Sequence, residues 1–173
     1  AIQWVARGLS SMRLKIVSFL FLLGTFLFLW TPITLGTNDN IDECASYENL
    51  FEQISCYASA AKKINDLAPC DQAVHEGVRY QCYAIFAEHS ASPAVCQKIP
   101  SKTPEHRSLI DVCLSDVAQK ANDPNICEII ITSGLRDSCY LKLAKKSGKH
   151  ALCEKIKDDG LKSVCNGKSV IVD

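Results

Sequence analysis

Residues 123–148 have the sequence DPNICEIIITSGLRDSCYLKLAKKSG, and the cysteine spacing in this stretch recurs along the chain. Cys127 and Cys139 are 12 residues apart, and the next cysteine follows after another 14. The steps between all ten cysteines are 12, 14, 12, 14, 17, 14, 12, 14 and 12, which is a 26-residue period with one five-residue insertion. A fixed period of this length is typical of repeat proteins. The sequence therefore predicts five units, which begin at Cys44, Cys70, Cys96, Cys127 and Cys153.

Residues other than cysteine follow the same period. Alanine stands five residues after the second cysteine of four units, Tyr or Leu stands directly after that cysteine, and Ile stands three residues after the first cysteine of three units. These residues are Ala61, Ala87, Ala118 and Ala144; Tyr57, Tyr83, Leu114 and Tyr140; and Ile99, Ile130 and Ile156. The tyrosines have two interpretations: packing between successive units, or a ladder of rings on which a ligand stacks.

Unit four predicts two helices. Asp123 followed by Pro124 is a favourable helix start, and we expect a first helix over Asn125–Ser133 that ends with Gly134 in the left-handed conformation. Apolar residues at helical spacing predict a second helix over Leu135–Lys146, which ends at Ser147-Gly148. The fold class that follows is all-α, with five short disulfide-linked helical-hairpin repeats stacked as a solenoid.

The position of the turn decides which cysteines pair. A continuous helix holds residues 12 apart at about 18 Å, whereas a disulfide requires Cα atoms about 5.5 Å apart. The predicted turn at Gly134 lies near the middle of the 12-residue step, so Cys127 and Cys139 face each other in a hairpin, while partners 14 apart are out of register. The predicted pairs are Cys44–Cys56, Cys70–Cys82, Cys96–Cys113, Cys127–Cys139 and Cys153–Cys165.

Several phrases of units four and five resemble a known group of proteins. Ile126-Cys127-Glu128, the run from Leu135 to Tyr140 and Leu152-Cys153-Glu154 are similar to exported cysteine-rich αα-repeat proteins of archaea and some bacteria. The resemblance covers about residues 44–165. It implies an architecture and a compartment, but no established activity and no catalytic residues.

The N-terminal part of the chain has the features of an export signal. Residues 16–36 carry no charge, with basic residues before them and acidic residues after them, which is the orientation of a signal peptide or of a signal anchor. We interpret residues 1–11 as an over-extended start, 12–36 as a signal peptide or an uncleaved anchor helix, 37–43 as a linker and 44–173 as the repeat domain. The expected localisation is extracytoplasmic, either secreted or attached to a membrane through residues 16–36, where disulfides form.

The motifs of common catalytic and metal sites are missing from the sequence. No two cysteines are closer than 12 positions, whereas zinc sites favour close ligand pairs, so we expect no metal and no cofactor. The four histidines, His75, His89, His106 and His150, form none of the usual metal-binding pairs. Balanced charge, with 19 basic and 19 acidic side chains, argues against nucleic acid as a partner.

Charge is unevenly distributed within the exported part. Residues 37–140 carry eight Lys and Arg against 15 Asp and Glu, whereas residues 141–168 carry eight Lys against three acidic residues. The candidate residues for binding an anionic partner are Lys142, Lys145, Lys146, Lys149, Lys155, Lys157 and Lys162; the alternative is a solvated face. The sequence thus favours a non-enzymatic binding or scaffold module of the cell envelope, whose partner is a protein or an anionic envelope component. The alternative is an enzyme or an enzyme inhibitor with a site near the insertion at 99–107.

Overall fold

The computed structural model describes residues 41–167, and helices without any strand make up the secondary structure of this range. Four long helices alternate with short ones. The elements are α1 (Ile41–Cys44), α2 (Leu50–Ile64), α3 (Ala68–Asp71), α4 (Glu76–Ser90), α5 (Pro93–Cys96), α6 (Pro104–Ala121), α7 (Pro124–Glu128), α8 (Ser133–Ser147), a 3₁₀-helix (His150–Lys155) and α9 (Asp159–Cys165). The all-helical prediction is confirmed for this range, while the predicted signal or anchor segment lies outside the described residues.

Each disulfide joins a short helix to the longer helix that follows it. The five bonds are Cys44–Cys56, Cys70–Cys82, Cys96–Cys113, Cys127–Cys139 and Cys153–Cys165, with Cα–Cα distances from 5.5 to 5.8 Å. They connect the predicted pairs of cysteines, although the turn of unit four lies at residues 129–132 and not at Gly134. The five-residue insertion lengthens only the loop closed by Cys96 and Cys113.

The first helix of unit four is shorter than predicted, and Gly134 is not its end. Helix α7 stops at Glu128, and Gly134 is the second residue of α8. Three β-branched residues, Ile129 to Ile131, disfavour helix here, and Thr132 before α8 is extended, with φ −70° and ψ 115°. The prediction of a left-handed Gly134 was therefore wrong, and nothing in the structure explains the glycine, because a Cβ there would meet no atom within 4 Å.

Left-handed residues instead end the four long helices. Asn65, Ala91, Asn122 and Gly148 each stand nine residues after the second cysteine of their unit and have φ between 51° and 68°. In the first three units, the backbone N–H of the following residue donates to the carbonyl of the recurring alanine, for example from Ser92 to Ala87 at 3.0 Å. This is the Schellman arrangement, and Ala87 is completely buried.

Of these four left-handed residues, only Ala91 is of a type that is sterically strained in this conformation. An L-residue with a plain Cβ in this conformation costs about 1 kcal/mol, whereas Asn and Gly tolerate it. We expect Ala91→Gly to raise the free energy of unfolding by about 0.5–1 kcal/mol, after part of the gain is offset by the more flexible unfolded chain. Denaturant titration of the oxidised protein measures this change. The matched control is Ala121→Gly on an exposed helical residue, which should lower stability; equal effects at both positions would contradict the prediction.

The long helices pack in sequence order, α2 on α4, α4 on α6 and α6 on α8. Helices α6 and α8 run in the same direction: Lys146 near the end of α8 bonds to the carbonyl of Gln119 near the end of α6, while the start of α8 lies beside Asp111 in the first half of α6. The starts of α2 and α4 line one groove, and His106 at the start of α6 meets Tyr80 in the first half of α4. The connections before the long helices therefore lie along one edge, and the C-terminal ends of the helices lie along the opposite edge.

Buried aspartates join unit three to unit four and unit four to unit five. Asp111, 1% exposed, accepts the N–H of Ile131 on Oδ1 (3.0 Å) and the N–H of Thr132 on Oδ2 (2.9 Å). Asp137, 2% exposed, accepts the N–H groups of Lys157 and Asp158 on Oδ2, at 3.2 and 2.9 Å. Both aspartates stand two residues before the second cysteine of their unit. Because each holds the connection of the next unit extended, the carboxylates also explain why α7 cannot continue to Ser133.

The interior is built mainly from cystine and small side chains. Nine of the ten cysteines are buried, and they form two apolar clusters with the recurring alanines and with Ile99, Ile130 and Ile156. The isoleucines are only 1–2% exposed. The recurring residues of the sequence are therefore core residues.

Candidate functional site

The seven candidate lysines fall into two groups in the structure. Lys142, Lys145, Lys146 and Lys149 lie in the last two turns of α8 or directly after it. Lys155, Lys157 and Lys162 belong to unit five, and the backbone of Lys157 lies beside Asp137 in the first half of α8. Since α8 advances about 1.5 Å per residue, the two groups are separated along this helix.

Two lysines of unit five are engaged in ion pairs. Lys155 contacts Glu128, and its Nζ lies 5.6 Å from the centre of the Tyr140 ring. The hydrogen bond from Lys155 lowers the pKa of Glu128. Lys162 lies 2.7 Å from Glu154. These lysines therefore already have anionic partners within the protein.

Two lysines of α8 are directed towards α6. The Nζ of Lys146 donates to the carbonyl of Gln119 at 2.5 Å. Asp116 has a raised pKa because burial disfavours its carboxylate, and the charge of Lys142 opposes this shift. Lys142 is therefore electrostatically coupled to a partly buried carboxylate of the neighbouring helix.

Three of the seven lysines keep their charge available. Lys145, Lys149 and Lys157 are exposed, and within residues 41–167 none of them forms an ion pair. Lys145 and Lys149 are near neighbours at the end of α8, whereas Lys157 is in the other group. The pair at the end of α8 is therefore the part of the candidate set that is best placed to meet an external anion.

The end of α8 continues a row of basic residues that the sequence analysis missed. Each long helix has a basic residue in its last turn, seven positions after the second cysteine: Lys63, His89, Lys120 and Lys146. All four are exposed. We call the last turns of α2, α4, α6 and α8, with Lys149, the basic edge. The 26-residue period of the sequence could have revealed this row, but the sequence analysis applied the period only to cysteines and apolar residues.

Helix electrostatics contribute to the basic edge. The C-terminal end of a helix carries a partial negative charge, and a nearby cation stabilises it by about 0.3–1 kcal/mol. One cation in each last turn is sufficient for this role. The end of α8 has Lys145, Lys146 and Lys149, so it carries more positive charge than its own helix requires.

The recurring tyrosines are packed in the interior. Tyr57, Tyr83 and Tyr140 are 2%, 7% and 3% exposed, so their rings present no open face to a ligand. The hydroxyl of Tyr83 donates to Asp71, and burial together with this bond raises the pKa of Tyr83 to about 12. The phenol therefore stays neutral at physiological pH, and packing between units is the interpretation that the structure supports.

A surface groove of about 630 Å³ lies beside the insertion. It is lined by Gln81, Pro104, Glu105, Ser108, Leu109 and Val112. Backbone and Thr103 hydrogen bonds hold the pKa of Glu105 below its usual value, so this carboxylate stays ionised and is a poor proton donor. The groove is open to solvent rather than enclosed.

The histidine of the insertion is used for packing. The ring of His106 meets the ring of Tyr80 edge-on, with 5.1 Å between centroids, and its Nδ1 is buried without a partner. Ser108 is therefore not activated by this nitrogen, as a nucleophile would need to be. Tyr80 occupies the register of Asp111 and Asp137, so at the insertion a ring contact replaces the hydrogen bonds that join later units.

Residues 41–167 contain neither a metal-binding cluster nor a membrane-spanning helix. This range holds no group of three or more His, Cys, Asp or Glu side chains arranged around a metal position. None of its helices combines the length and the apolar character needed to cross a bilayer.

Comparisons with known proteins place no relative beside this chain. No family model matches it, and neither a curated protein nor a solved structure does. Its function must therefore be inferred from its own residues.

Proposed function

We propose that the protein is a non-enzymatic extracytoplasmic module of the cell envelope, which binds an anionic partner through the basic edge. Five disulfides indicate an oxidising environment outside the cytoplasm. The N-terminal segment has the sequence pattern of an export signal, which also favours a location outside the cytoplasm. A covalently linked scaffold with an exposed row of basic residues suits binding better than catalysis.

In this proposal the helical units form a short solenoid. Its support is the order of packing, in which each long helix contacts the next one along the chain, and the repeated hydrogen bonds from Asp111 and Asp137 to the following unit. Stacked units of this kind expose the same register along one edge, and such surfaces are widely used for binding. A single basic position per unit thereby becomes an extended row.

The observation that carries the proposal is the excess of unpaired charge at the end of α8. Lys145 and Lys149 are exposed and form no ion pair within the described range. Lys120, in the register of Lys146, lies at the end of the neighbouring helix α6. Fixed like charges on adjacent helices repel one another, and an anionic polymer or an acidic protein surface relieves this repulsion.

Binding of a soluble polyanion tests the proposal. We expect the full chain in detergent to bind fluorescein-labelled poly-L-glutamate at low salt and to release it as salt screens exposed charges. The Lys145→Gln/Lys149→Gln variant should weaken low-salt binding about tenfold, because two exposed ion pairs together contribute about 1.4 kcal/mol. Fluorescence anisotropy at two salt concentrations measures both effects.

The matched control removes the same charge from the other edge. Lys98 and Lys102 are exposed residues of the insertion region, and Lys98→Gln/Lys102→Gln changes the net charge equally. This variant should retain most of the binding. Equal losses in the two variants, or binding that ignores salt, would show that the basic edge is only a solvated surface.

A further inference from the structure

Exposed apolar side chains are concentrated at the edge opposite the basic one. Of the nine large apolar side chains that are exposed within residues 41–167, six lie in the connections before the long helices or in the first two residues of α2. These six are Tyr47, Leu50, Phe51, Val74, Ile129 and Ile131. The three most exposed of all nine belong to this set: Val74 at 88%, Ile131 at 74% and Phe51 at 72%.

These residues lie along one edge of the four long helices, which we call the loop edge. It consists of residues 45–51, 72–75, 97–103 and 129–132, which precede or begin α2, α4, α6 and α8. Leu50 and Val74, from neighbouring units, line the same surface groove of about 510 Å³. The backbone of Ile131 is held against α6 by Asp111. The loop edge is therefore continuous from one unit to the next at both places where apolar side chains are exposed.

The fold does not require apolar residues at these positions. Val74 and Ile131 stand four residues after the first cysteine of their units, and Glu48 and Lys157 occupy the same register in units one and five. In the connection of unit four, Ile130 is 1% exposed and supplies the core contact, while Ile129 and Ile131 on either side are 48% and 74% exposed. An apolar side chain at 74 or 131 therefore contributes nothing to the interior. We expect these exposed side chains to be covered by a partner outside the chain.

The shape and the sequence context of the loop edge favour a lipid surface as that occupant. Val74 and Ile131 protrude from connections rather than line a closed pocket, and protruding apolar side chains suit a fluid interface better than a shaped protein cleft. The uncharged run 16–36 is long enough to span a bilayer and precedes Ile41 by only four residues, so a bilayer that takes up this run is within reach of unit one. Each apolar site has one arginine that donates to its connection, Arg79 to Val74 and Arg136 to Ile130. Glu48, Glu52 and Glu76 lie beside the first site, so attraction to anionic lipids is not the basis of the docking.

We propose that the loop edge docks on the surface of a lipid bilayer, with Phe51, Val74 and Ile131 inserted among the lipid headgroups. The basic edge, at the other end of the long helices, then faces away from the membrane and remains open to an anionic partner. The inference goes beyond the proposed function, because it assigns a second surface and a different partner.

Photo-crosslinking to lipid tests the docking directly. The full chain is placed in phosphatidylcholine nanodiscs, with p-benzoylphenylalanine incorporated in place of Val74, Ile131 or Ile64. Ile64 is the matched control, because it is 55% exposed but lies at the end of α2, on the opposite edge. We expect mass spectrometry to detect lipid adducts for the probes at 74 and 131 and no lipid adduct for the probe at 64. Equal lipid adducts at all three positions, or adducts to a second copy of the chain in place of lipid, would overturn the proposal.

A second measurement separates docking from mere proximity. The probe is placed at Ile129, which lies on the loop edge and is half exposed, and its lipid adduct is compared in two backgrounds. The Phe51→Ser/Val74→Ser/Ile131→Ser variant should lose most of this adduct, whereas Ile64→Ser should leave it unchanged. An adduct that persists in the triple variant would show that these side chains do not hold the edge on the bilayer. Because the lipid is zwitterionic, failure here leaves the polyanion test of the basic edge unaffected.

Discussion

Reduction and alkylation of the ten cysteines are expected to unfold the whole helical part of the chain, residues 41–167, at room temperature. In the chain-entropy description a closed loop of this size contributes roughly 3 kcal/mol. Four disulfides close a 12-residue separation and one closes a 17-residue separation, and together they match or exceed the stability of about 5–15 kcal/mol of ordinary domains. Of the 30 buried apolar residues, nine are the cysteines themselves and seven are alanines, so larger apolar side chains fill less than half of the interior positions. Far-UV circular dichroism of the oxidised and the reduced, alkylated protein measures the loss of helix.

Removal of single disulfides should show a graded effect. Cys127 and Cys139 are completely buried, whereas Cys56 is only half buried, so Cys127→Ala/Cys139→Ala should destabilise the protein more than Cys44→Ala/Cys56→Ala. Non-reducing peptide mapping provides the control for the pairing. A peptide that joins Cys139 to Cys153, or an unchanged helical spectrum after reduction, would contradict this account.

Replacing the buried Asp111 by asparagine is expected to lower the free energy of unfolding by about 2–3 kcal/mol, because one of the two N–H groups that it binds loses its acceptor. Each carboxylate oxygen of Asp111 accepts one backbone N–H, from Ile131 at 3.0 Å and from Thr132 at 2.9 Å. An amide has only one acceptor oxygen, and its NH₂ group would face the other N–H. Urea titration of the oxidised Asp111→Asn variant measures the change.

Asp137→Asn is the control for this prediction, since the two aspartates occupy the same register. Asp137 accepts both of its N–H bonds on Oδ2, and its Oδ1 is buried without a partner. An asparagine with its carbonyl oxygen at the position of Oδ2 keeps both bonds, so the free energy of unfolding should fall by less than in Asp111→Asn. The interpretation of the hydrogen bonds is wrong if the two variants are equally destabilised, or if Asp137→Asn has the lower free energy of unfolding.

The candidate site was only partly predictable, and the lysines of α8 show why. Lys145 and Lys149 were identified from the charge of residues 141–168, which is a property of composition. The same criterion included Lys155 and Lys162, which are engaged by Glu128 and Glu154. It missed Lys120, which is far away in sequence but belongs to the neighbouring helix end. Ion pairs and neighbours depend on which units stack, and net charge carries no information about stacking.

The sequence by itself determined the helical class and the pairing of Cys44–Cys56 through Cys153–Cys165, because the spacing of the cysteines is a property of the chain alone. It also marked the end of α8 at Gly148, where local backbone chemistry is sufficient. The β-branched residues Ile129 to Ile131 disfavour helix locally after Glu128, but only the tertiary structure decided that this connection is held extended, since the N–H groups of Ile131 and Thr132 are bound by Asp111, about 20 residues away in another unit. It likewise decided that Val74 and Ile131 are exposed while Ile130 is buried, because burial depends on which neighbouring unit covers each side chain, and adjacent isoleucines in one sequence do not reveal which of them will be covered.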